Sequence, residues 1–266
     1  MSEINKIKEY WNKRAKETTE EFDRIFPLGY GGTYNDIKLQ HLEMNAILKY
    51  IKEGETVLDI GCGKGYPALY IVWKKNINLL GIDYAEDMIS EAKDNLEKIK
   101  DKIKGNADFS LGDIMRPETL PNKQFDMIFT ERCLINITNW EEQKKAIENI
   151  SNLIKQGGLF LMLEGSKTSI DKLNEVRMRF GLEPIKVVWH NLFFEDEKLI
   201  EYASQFFELI KIDNFASTYL LISRVLNPAL IKPEEPKYNA KINELALKLP
   251  NLGEYSYQKL YVFKKK

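Results

Sequence analysis

The stretch 56-TVLDIGCGKGY-66 decides the fold of this chain. Short apolar residues lead into Asp59, and glycines follow at three alternate positions, Gly61, Gly63 and Gly65. Glycines at this spacing let the backbone turn sharply and approach a ligand before a helix begins. A dinucleotide-binding turn, Gly-x-Gly-x-x-Gly, needs its third glycine one position later, where this chain has Tyr66. The stretch therefore predicts a strand, a ligand-binding turn and a helix.

From residue 55 onward, short apolar runs alternate with helical periods. The predicted strands are 56–60, 78–83, 107–112, 125–131, 158–164 and 208–214. The predicted helices of this region are 86–99, 140–154 and 196–207. Asn139, followed by Glu142, is typical of a capping pair that opens the second of these helices. Alternation of this kind favours a parallel sheet with helices on both faces.

Two runs compete for the last strand of the sheet. Residues 258–265, QKLYVFKK, alternate between polar and apolar side chains and are the preferred candidate. Residues 219–226, YLLISRVL, are the alternative. The first is preferred because 227–250 contains Pro228, Pro233 and Pro236 and a polar helix, which is typical of an insertion.

Three segments are additional to this alternating core. Residues 1–52 predict a helical cap or lid with two helices, separated by a loop rich in glycine and aromatic residues. In this loop Phe22, Phe26, Tyr30 and Tyr34 are expected to form a mobile lid or a hydrophobic plug. Residues 53–266 predict the cofactor-binding domain, with acceptor-side insertions near 165–195 and 216–255.

The composition limits the function classes. Lys and Arg number 39 against 40 for Asp and Glu, which gives no overall basic charge for nucleic acid or anionic membrane. No apolar run approaches the length of a membrane span, and the charged first residues do not resemble a signal peptide. We expect a cytoplasmic protein without a nucleic-acid or membrane partner. The cysteines, Cys62 and Cys133, and the two histidines are too few for a structural metal site, so no metal is predicted.

Several segments together resemble the class I S-adenosylmethionine (AdoMet)-dependent methyltransferases. They are the glycine turn, GIDYAEDMI (81–89), GDI (112–114) and LIKQGG (153–158), in the order of successive strands. The resemblance implies a seven-stranded, mostly parallel, Rossmann-like methyltransferase sheet with helices on both faces. It also implies AdoMet as cofactor and S-adenosylhomocysteine as product.

The resemblance implies a cofactor site at the carboxyl ends of the strands, where ligands of open α/β sheets bind. The turn after the first strand suits the methionine portion, Asp83 the ribose hydroxyls, and Asp113 with Ile114 the adenine. The predicted cofactor set is Asp59, Gly61, Cys62, Gly63, Asp83, Tyr84, Met88, Asp113, Ile114, Glu131 and Trp11. Trp11 lies in YWNKR (10–14), which resembles the helix that closes over the cofactor in ubiquinone-type enzymes. The alternative for Trp11 is core packing.

Candidate catalytic residues lie on the acceptor side. His190, in the aromatic run VVWHNLFF (187–194), is the first candidate for a general base, and a structural histidine is the alternative. Glu164, at the end of the fifth strand, is the second candidate, and a helix cap is its alternative. Arg132, at the end of the fourth strand, suggests an anionic acceptor, as Arg177 and Arg179 do more weakly.

The preferred function is methyl transfer to a small polar metabolite with an oxygen nucleophile, such as a sugar, sugar phosphate or related acid. The fourth strand ends in ERCLIN (131–136) and lacks the Asn/Asp-Pro-Pro-Tyr/Phe motif of many nucleic-acid amino methyltransferases. The alternatives are N-methylation of a small amine, an RNA or protein methyltransferase, and a non-catalytic partner protein with this fold. No oligomeric state is predicted.

Overall fold

A computed structural model of the protein describes residues 3–16, 28 and 36–266. The helices are α1 (Glu3–Ala15), α2 (Ile37–Leu48), α3 (Tyr66–Lys74), α4 (Glu86–Ile99), α5 (Trp140–Leu153), α6 (Lys167–Arg179), α7 (Asp196–Ala203), α8 (Ser217–Leu221), α9 (Asn227–Ile231) and α10 (Lys241–Ala246). The strands are β1 (Thr56–Ile60), β2 (Asn78–Asp83), β3 (Asn106–Leu111), β4 (Phe125–Glu131), β5 (Ile154–Gly165), β6 (Phe207–Asp213) and β7 (Gln258–Lys265). No helix within these described ranges is both long and apolar enough to cross a bilayer.

The strands of the described chain form one seven-stranded sheet in the order β3-β2-β1-β4-β5-β7-β6. β1 to β5 pair in parallel, whereas β7 enters antiparallel between β5 and β6. The predicted fold class and the preferred last strand at 258–265 are therefore confirmed. The alternative at 219–226 is wrong, because these residues continue α8 through one π-helical turn, Ile222–Leu226.

The boundaries of several predicted elements differ from the observed ones. β5 begins at Ile154 rather than 158, because Ile154 already pairs with Phe125 of β4. α7 ends at Ala203 rather than 207, because Phe207 already pairs with Lys265 of β7. α5 begins as predicted, where the Asn139 side chain accepts hydrogen bonds from the first turn of the helix.

Helices cover both faces of the sheet. Successive residues of β1 point to opposite faces, so Val57 belongs to the hydrophobic cluster of α2, α3 and α4, and Leu58 to that of α5 and α7. Both side chains are completely buried. Two buried faces are what a parallel sheet with crossover helices requires. The carboxyl ends of β1 to β4 consequently open on a single edge.

The additional segments surround this edge. α1 and α2 are the two helices predicted for residues 1–52, α6 lies in the insertion at 165–195, and α8 to α10 lie in the insertion at 216–255. The predicted lid aromatics Phe22, Phe26, Tyr30 and Tyr34 fall outside the described residues. The division into a cap and a cofactor domain near residue 52 stays a prediction.

Candidate active site

The glycine turn after β1 is fixed to the end of β2. The backbone amides of Gly61 and Cys62 both donate hydrogen bonds to the carbonyl of Ile82, at 2.8 and 3.0 Å. Gly61 has a left-handed backbone (φ 76°), and a Cβ atom there would lie 2.3 Å from the sulfur of Cys133. Glycine is therefore required at position 61, because the turn leaves no room for a side chain.

Asp83, at the end of β2, is held by the same turn. Its Oδ2 accepts a hydrogen bond from the backbone amide of Gly63 at 3.0 Å, and its Oδ1 from that of Ala85 at 2.9 Å. Burial raises the pKa of the Asp83 carboxyl to about 6, although these two hydrogen bonds oppose the shift. The two amides thus fix the orientation of the carboxyl group. Its ionised and neutral forms are equally populated near pH 6.

Asp59 is a buried carboxyl group, and one of its two oxygens accepts no hydrogen bond from the described residues. It is 1% exposed, and among the described residues no group donates a hydrogen bond to its Oδ2. Burial raises its pKa well above the usual value, and the nearby charges of Glu131 and Asp83 act in the same direction. An unpaired buried oxygen of this kind is satisfied by a ligand that brings hydrogen-bond donors or positive charge, such as the ammonium group of AdoMet.

Two adjoining cavities follow the carboxyl edge of the sheet. The first, of 140 Å³, is lined by Asp59 and the glycine turn, and the second, of 250 Å³, by Asp113 and Ile114. They share the residues Gly61, Asp83, Tyr84, Cys133 and Asn136. They therefore form one cleft with two arms, which suits an elongated ligand with different chemistry at its two ends.

The structure brings the whole predicted cofactor set to this cleft. Residues of the set in the first arm are Trp11, Asp59, Gly61, Cys62, Gly63, Asp83, Tyr84, Met88 and Glu131. Asp113 and Ile114 line the second arm. In the second arm, the Asp113 carboxylate accepts a hydrogen bond from the backbone amide of Met115 at 2.9 Å. The position of each residue fits AdoMet, and its contact with the cofactor stays a prediction.

Helix α1 covers the cleft. Ile4 and Ile7 line the second arm, and Trp11 lines the first. The indole Nε1 of Trp11 donates a hydrogen bond to Asn136 Oδ1 at 3.1 Å, while its ring packs against a small cluster that includes Met88. The two predicted roles of Trp11, in core packing and in covering the cofactor, are therefore compatible, since the residue packs against the cluster of Met88 and also lines the cleft.

Arg132 follows β4 in an unusual conformation. Within the described ranges it is the one residue other than glycine with a left-handed backbone, at φ 53°. Its guanidinium lies between two carboxylates, with Nε 3.5 Å from Glu43 Oε2 and Nη2 3.4 Å from Glu131 Oε1. Backbone strain of this kind often occurs at functional sites. The side chain is one-fifth exposed and lines the first arm of the cleft.

Glu164 is completely buried beneath the turn after β4. Its carboxylate accepts hydrogen bonds from the backbone amides of Cys133, Leu134 and Ile135, at 3.1, 2.9 and 3.2 Å. Burial raises its pKa to about 7 despite these bonds. The residue does not line either arm of the cleft. This geometry favours the alternative interpretation of Glu164 as a cap of the turn after β4. It disfavours Glu164 as a general base, because the residue does not reach the cleft.

His190 is buried against helix α1 and, like Glu164, lines neither arm of the cleft. Its ring lies 4.6 Å from that of Tyr10 and 5.5 Å from that of Trp11, between ring centroids. Among the described residues no hydrogen-bond partner reaches its Nδ1. Burial, and to a lesser extent the positive charge of Arg14, lower its pKa below the usual value. The imidazole is consequently neutral near pH 7 and able to accept a proton.

The other predicted arginines lie elsewhere. The guanidinium of Arg177 donates to the backbone carbonyls of Glu183 and Arg224, so it stabilises the two insertions. Arg179 is exposed at the end of α6. The described residues contain no group of three or more His, Cys, Asp or Glu side chains placed to hold a metal ion.

Two residues of α2 at the cleft were not singled out by the sequence. Gln40 lines the first arm, and Glu43, one turn later, is completely buried behind Arg132. Both polar residues lie on a helical face whose other positions, Leu39, Met44 and Ile47, belong to the core. The presence of Glu43 on an apolar helical face was the one feature of the sequence that could have indicated a special role. Only the packing of α2 shows that Glu43 faces Arg132.

Comparison with known proteins identifies the family of the chain. Residues 51–203, more than half of the chain, match the family described as a methyltransferase domain. The chain is 34% identical over 127 residues to a sterol 24-C-methyltransferase of Pneumocystis carinii, and 30% identical over 166 residues to a demethylmenaquinone methyltransferase of Leptospira interrogans. These matches cover 47% and 60% of this chain, and 32% and 61% of the length of those enzymes.

The fold has solved counterparts. The structure of magnesium protoporphyrin IX methyltransferase from Synechocystis with bound S-adenosylhomocysteine superimposes with a TM-score of 0.62. The superposition covers 99% of this chain and 100% of that one, at 12% sequence identity, and so concerns the fold alone. The family match includes the glycine turn and the strands β1 to β5. The protein therefore belongs to the methyltransferase domain family and has the class I AdoMet-dependent fold.

Proposed function

We propose that this protein transfers the methyl group of AdoMet to a small-molecule acceptor, with an oxygen nucleophile as the preferred class. The observation that carries the proposal is the two-armed cleft, in which Asp59, Asp83 and Asp113 follow three successive parallel strands. Asp59 lines the first arm, Asp113 lines the second, and Asp83 lies where the two arms meet. That order fits a ligand that runs from a nucleoside at one end to an amino acid at the other.

The residues of the cleft divide into binding and alignment roles. AdoMet, when bound, supplies a methyl group on a positively charged sulfur. Asp83, oriented by the amides of Gly63 and Ala85, presents its carboxyl oxygens to the ribose hydroxyls. Asp59 accepts hydrogen bonds from the ammonium group, and α1 covers the cleft and excludes water. Alignment of this kind supplies much of the acceleration in a displacement reaction.

His190 is the proposed general base. A hydroxyl acceptor must lose its proton as it attacks, and a neutral imidazole near pH 7 can take that proton. Support comes from its buried Nδ1 without a partner among the described residues and from its ring contact with Trp11, which itself lines the cleft.

A second candidate is N-methylation of a small amine. Acidic side chains lie at the first arm of the cleft: Asp59 and Glu131 line it, and Glu43 lies behind them. The cationic side chains that line this arm are Arg132 and Lys64. This excess of negative charge suits an ammonium group and disfavours a strongly anionic acceptor such as a sugar phosphate. The names of the relatives include a sterol C-methyltransferase and a phosphoethanolamine N-methyltransferase, so similarity alone does not choose the nucleophile.

The test is an acceptor screen with methyl-labelled AdoMet. Neutral sugars and other alcohols, sugar phosphates, small amines and a histone-tail peptide form the panel, and label transfer is measured at pH 5, 6 and 7. We expect label on alcohols, with a rate that rises with pH through the pKa of His190. Label on amines alone would support the second candidate. Binding of S-adenosylhomocysteine without transfer to any acceptor would instead support a non-catalytic protein.

A further inference from the structure

Two buried carboxyl groups face each other beside the first arm of the cleft. Glu43 of α2 is completely buried, and the side chain of Glu131, at the end of β4, is 4% exposed. Both contact the guanidinium of Arg132, at 3.5 and 3.4 Å. The two groups are also close enough to each other for a hydrogen bond when one of them carries a proton. One guanidinium thus serves two carboxyl groups.

Unsatisfied oxygens point to a ligand at this place. Glu131 and Gln40 both line the first arm, are more than nine-tenths buried, and have side-chain oxygens that no donor reaches among the described residues. Each orphaned oxygen costs free energy until a donor or a cation meets it. A positively charged ligand in the first arm would supply what these oxygens lack.

Several charged groups surround the pair. Arg132 is the cation that contacts both carboxyl groups, and Lys64 lines the same arm of the cleft. Glu43 faces Arg132, Glu131 and, more distantly, Asp36, which is itself paired with Arg224. On the cleft side, Glu131 faces Asp59. Burial is the main cause that raises the pKa of Glu43, and the neighbouring carboxylates add to it, while Arg132 opposes them.

The covalent structure of AdoMet places its sulfur in the same arm. The sulfur is bonded to the ribose, and the ribose partner Asp83 lies where the two arms meet. With adenine in the arm of Asp113 and Ile114, the sulfur and the methionine portion must continue into the arm that contains Glu131. The positive charge of the sulfur is then the feature that distinguishes AdoMet from S-adenosylhomocysteine in this arm.

We propose that Glu43 and Glu131 share one proton, which passes to solvent when AdoMet binds but stays when S-adenosylhomocysteine binds. The pair is then a specificity device that favours the charged cofactor over the uncharged product. Glu43 acts as a positioning residue, because it reaches the cleft only through Glu131 and Arg132. This inference rests on the proposed function, since it requires that AdoMet bind in the cleft.

The linkage between proton and ligand has a definite sign. A cation stabilises the pair in its fully ionised form, so protonation of the pair at low pH opposes AdoMet. The affinity for AdoMet relative to S-adenosylhomocysteine therefore rises with pH, by up to about tenfold per pH unit where one proton is released. Proton release caused by the ammonium and ribose groups is common to both ligands and cancels in the comparison.

The experiment is calorimetric titration of the whole protein with each ligand, in phosphate and in Tris at the same pH. The dependence of the binding enthalpy on the buffer gives the number of protons released. We expect AdoMet to release up to about one proton more than S-adenosylhomocysteine near pH 7. In the Glu43→Gln variant this excess should vanish, and the affinity ratio at pH 8 should fall by at least about fivefold. Glu97→Gln, an exposed change on α4, is the control and should keep the excess.

The possible results of the titrations distinguish a failure of the shared proton from a failure of the proposed function. Equal proton release by the two ligands in the wild-type protein overturns the shared proton, even if Glu43→Gln fails to fold. An excess that persists in Glu43→Gln assigns the proton to another group, such as Asp59, and overturns the role of Glu43. If neither ligand binds, the proposed function itself fails.

Discussion

Trp11 and Asn136 are joined by a hydrogen bond of 3.1 Å between side chains, across 125 residues of sequence. The bond attaches α1 to the turn after β4, and Asn136 in turn donates to the backbone carbonyl of Arg132 at 2.7 Å. The covering helix α1 is therefore connected to Arg132, the strained residue that lines the first arm of the cleft. Opening of α1 must break or carry along this contact.

The first prediction concerns this cover. Trp11→Phe keeps an aromatic ring against Met88 but removes the donor to Asn136, so α1 should open more easily. We expect S-adenosylhomocysteine to dissociate about 2- to 10-fold faster, which corresponds to one hydrogen bond. Stopped-flow displacement measures the rate, and Trp73→Phe, on α3 outside the cleft, is the matched control. An unchanged rate in Trp11→Phe would show that the bond does not limit opening.

The second prediction concerns Asp83. Asp83→Ala removes an acceptor oriented by two backbone amides and should weaken S-adenosylhomocysteine binding by about 1–3 kcal/mol. Because its pKa is about 6, the wild-type affinity should fall as pH drops through 6, and the variant should lose this dependence. Calorimetry from pH 5 to 8 measures both effects. Asp108→Ala, an exposed change on β3, should bind like the wild type.

The third prediction concerns His190. With a hydroxyl acceptor, His190→Ala should lower kcat by about 10²–10⁴ and leave the affinity for S-adenosylhomocysteine unchanged. With an amine that enters the site already deprotonated, the loss should be much smaller. His41→Ala, in α2, is the control. Full turnover of a hydroxyl substrate by His190→Ala would return this residue to a structural role.

The fourth prediction concerns Glu164 and the pH dependence of stability. The folded-state pKa of about 7 exceeds the usual 4.5, so folding takes up a proton here. The stability that this group contributes is complete below about pH 4.5 and is lost as pH rises through 7, by on the order of 3 kcal/mol. Denaturant unfolding of Glu164→Gln and of the wild type should therefore differ in slope against pH between 4.5 and 7. Parallel curves would contradict the raised pKa, and the exposed change Glu208→Gln on β6 should give such parallel curves.

Glu164→Gln should also be less stable at about pH 4.5, where the contribution of the wild-type carboxyl is complete, since an amide nitrogen would replace one oxygen that accepts from the backbone. The expected cost is about 1–3 kcal/mol. A variant as stable as the wild type would show that the turn after β4 does not depend on this carboxylate.

The sheet was predictable because its strands are short, apolar and bounded by turn residues. The glycine turn, Asp83 and Asp113 fall at the ends of such runs, so their meeting at one edge followed from the parallel order. The run 219–226 was wrongly considered as an alternative strand, because a short apolar run is compatible with either a buried strand or a buried helix. Its residue Tyr219 is fully buried, and its hydroxyl donates to Asp36, a contact that only tertiary packing creates.

The residues around Arg132 and Glu164 were less predictable, because their roles depend on partners that are distant in sequence. Glu43 lies on an insertion-like helix that precedes the sheet, and nothing in its neighbours along the chain indicates the guanidinium that it meets. Likewise, the sequence allowed Glu164 to be a base or a cap, and only the three amides after β4 favour the second role. Polar residues that act through partners distant in sequence need the packed structure to become visible.

The antiparallel entry of β7 has a consequence for how the chain reaches its native state during synthesis. β6 is flanked in the sheet by β7, which is made after the residues 214–257. Until Gln258–Lys265 emerge from the ribosome, β5 therefore presents an unpaired edge that includes Leu161 and Leu163, and β6 has no place in the sheet. Unpaired apolar edges in a nascent chain invite aggregation. Ribosome stalling just before residue 258 should thus leave a chaperone-dependent intermediate, whereas the parallel half of the sheet is already complete in sequence.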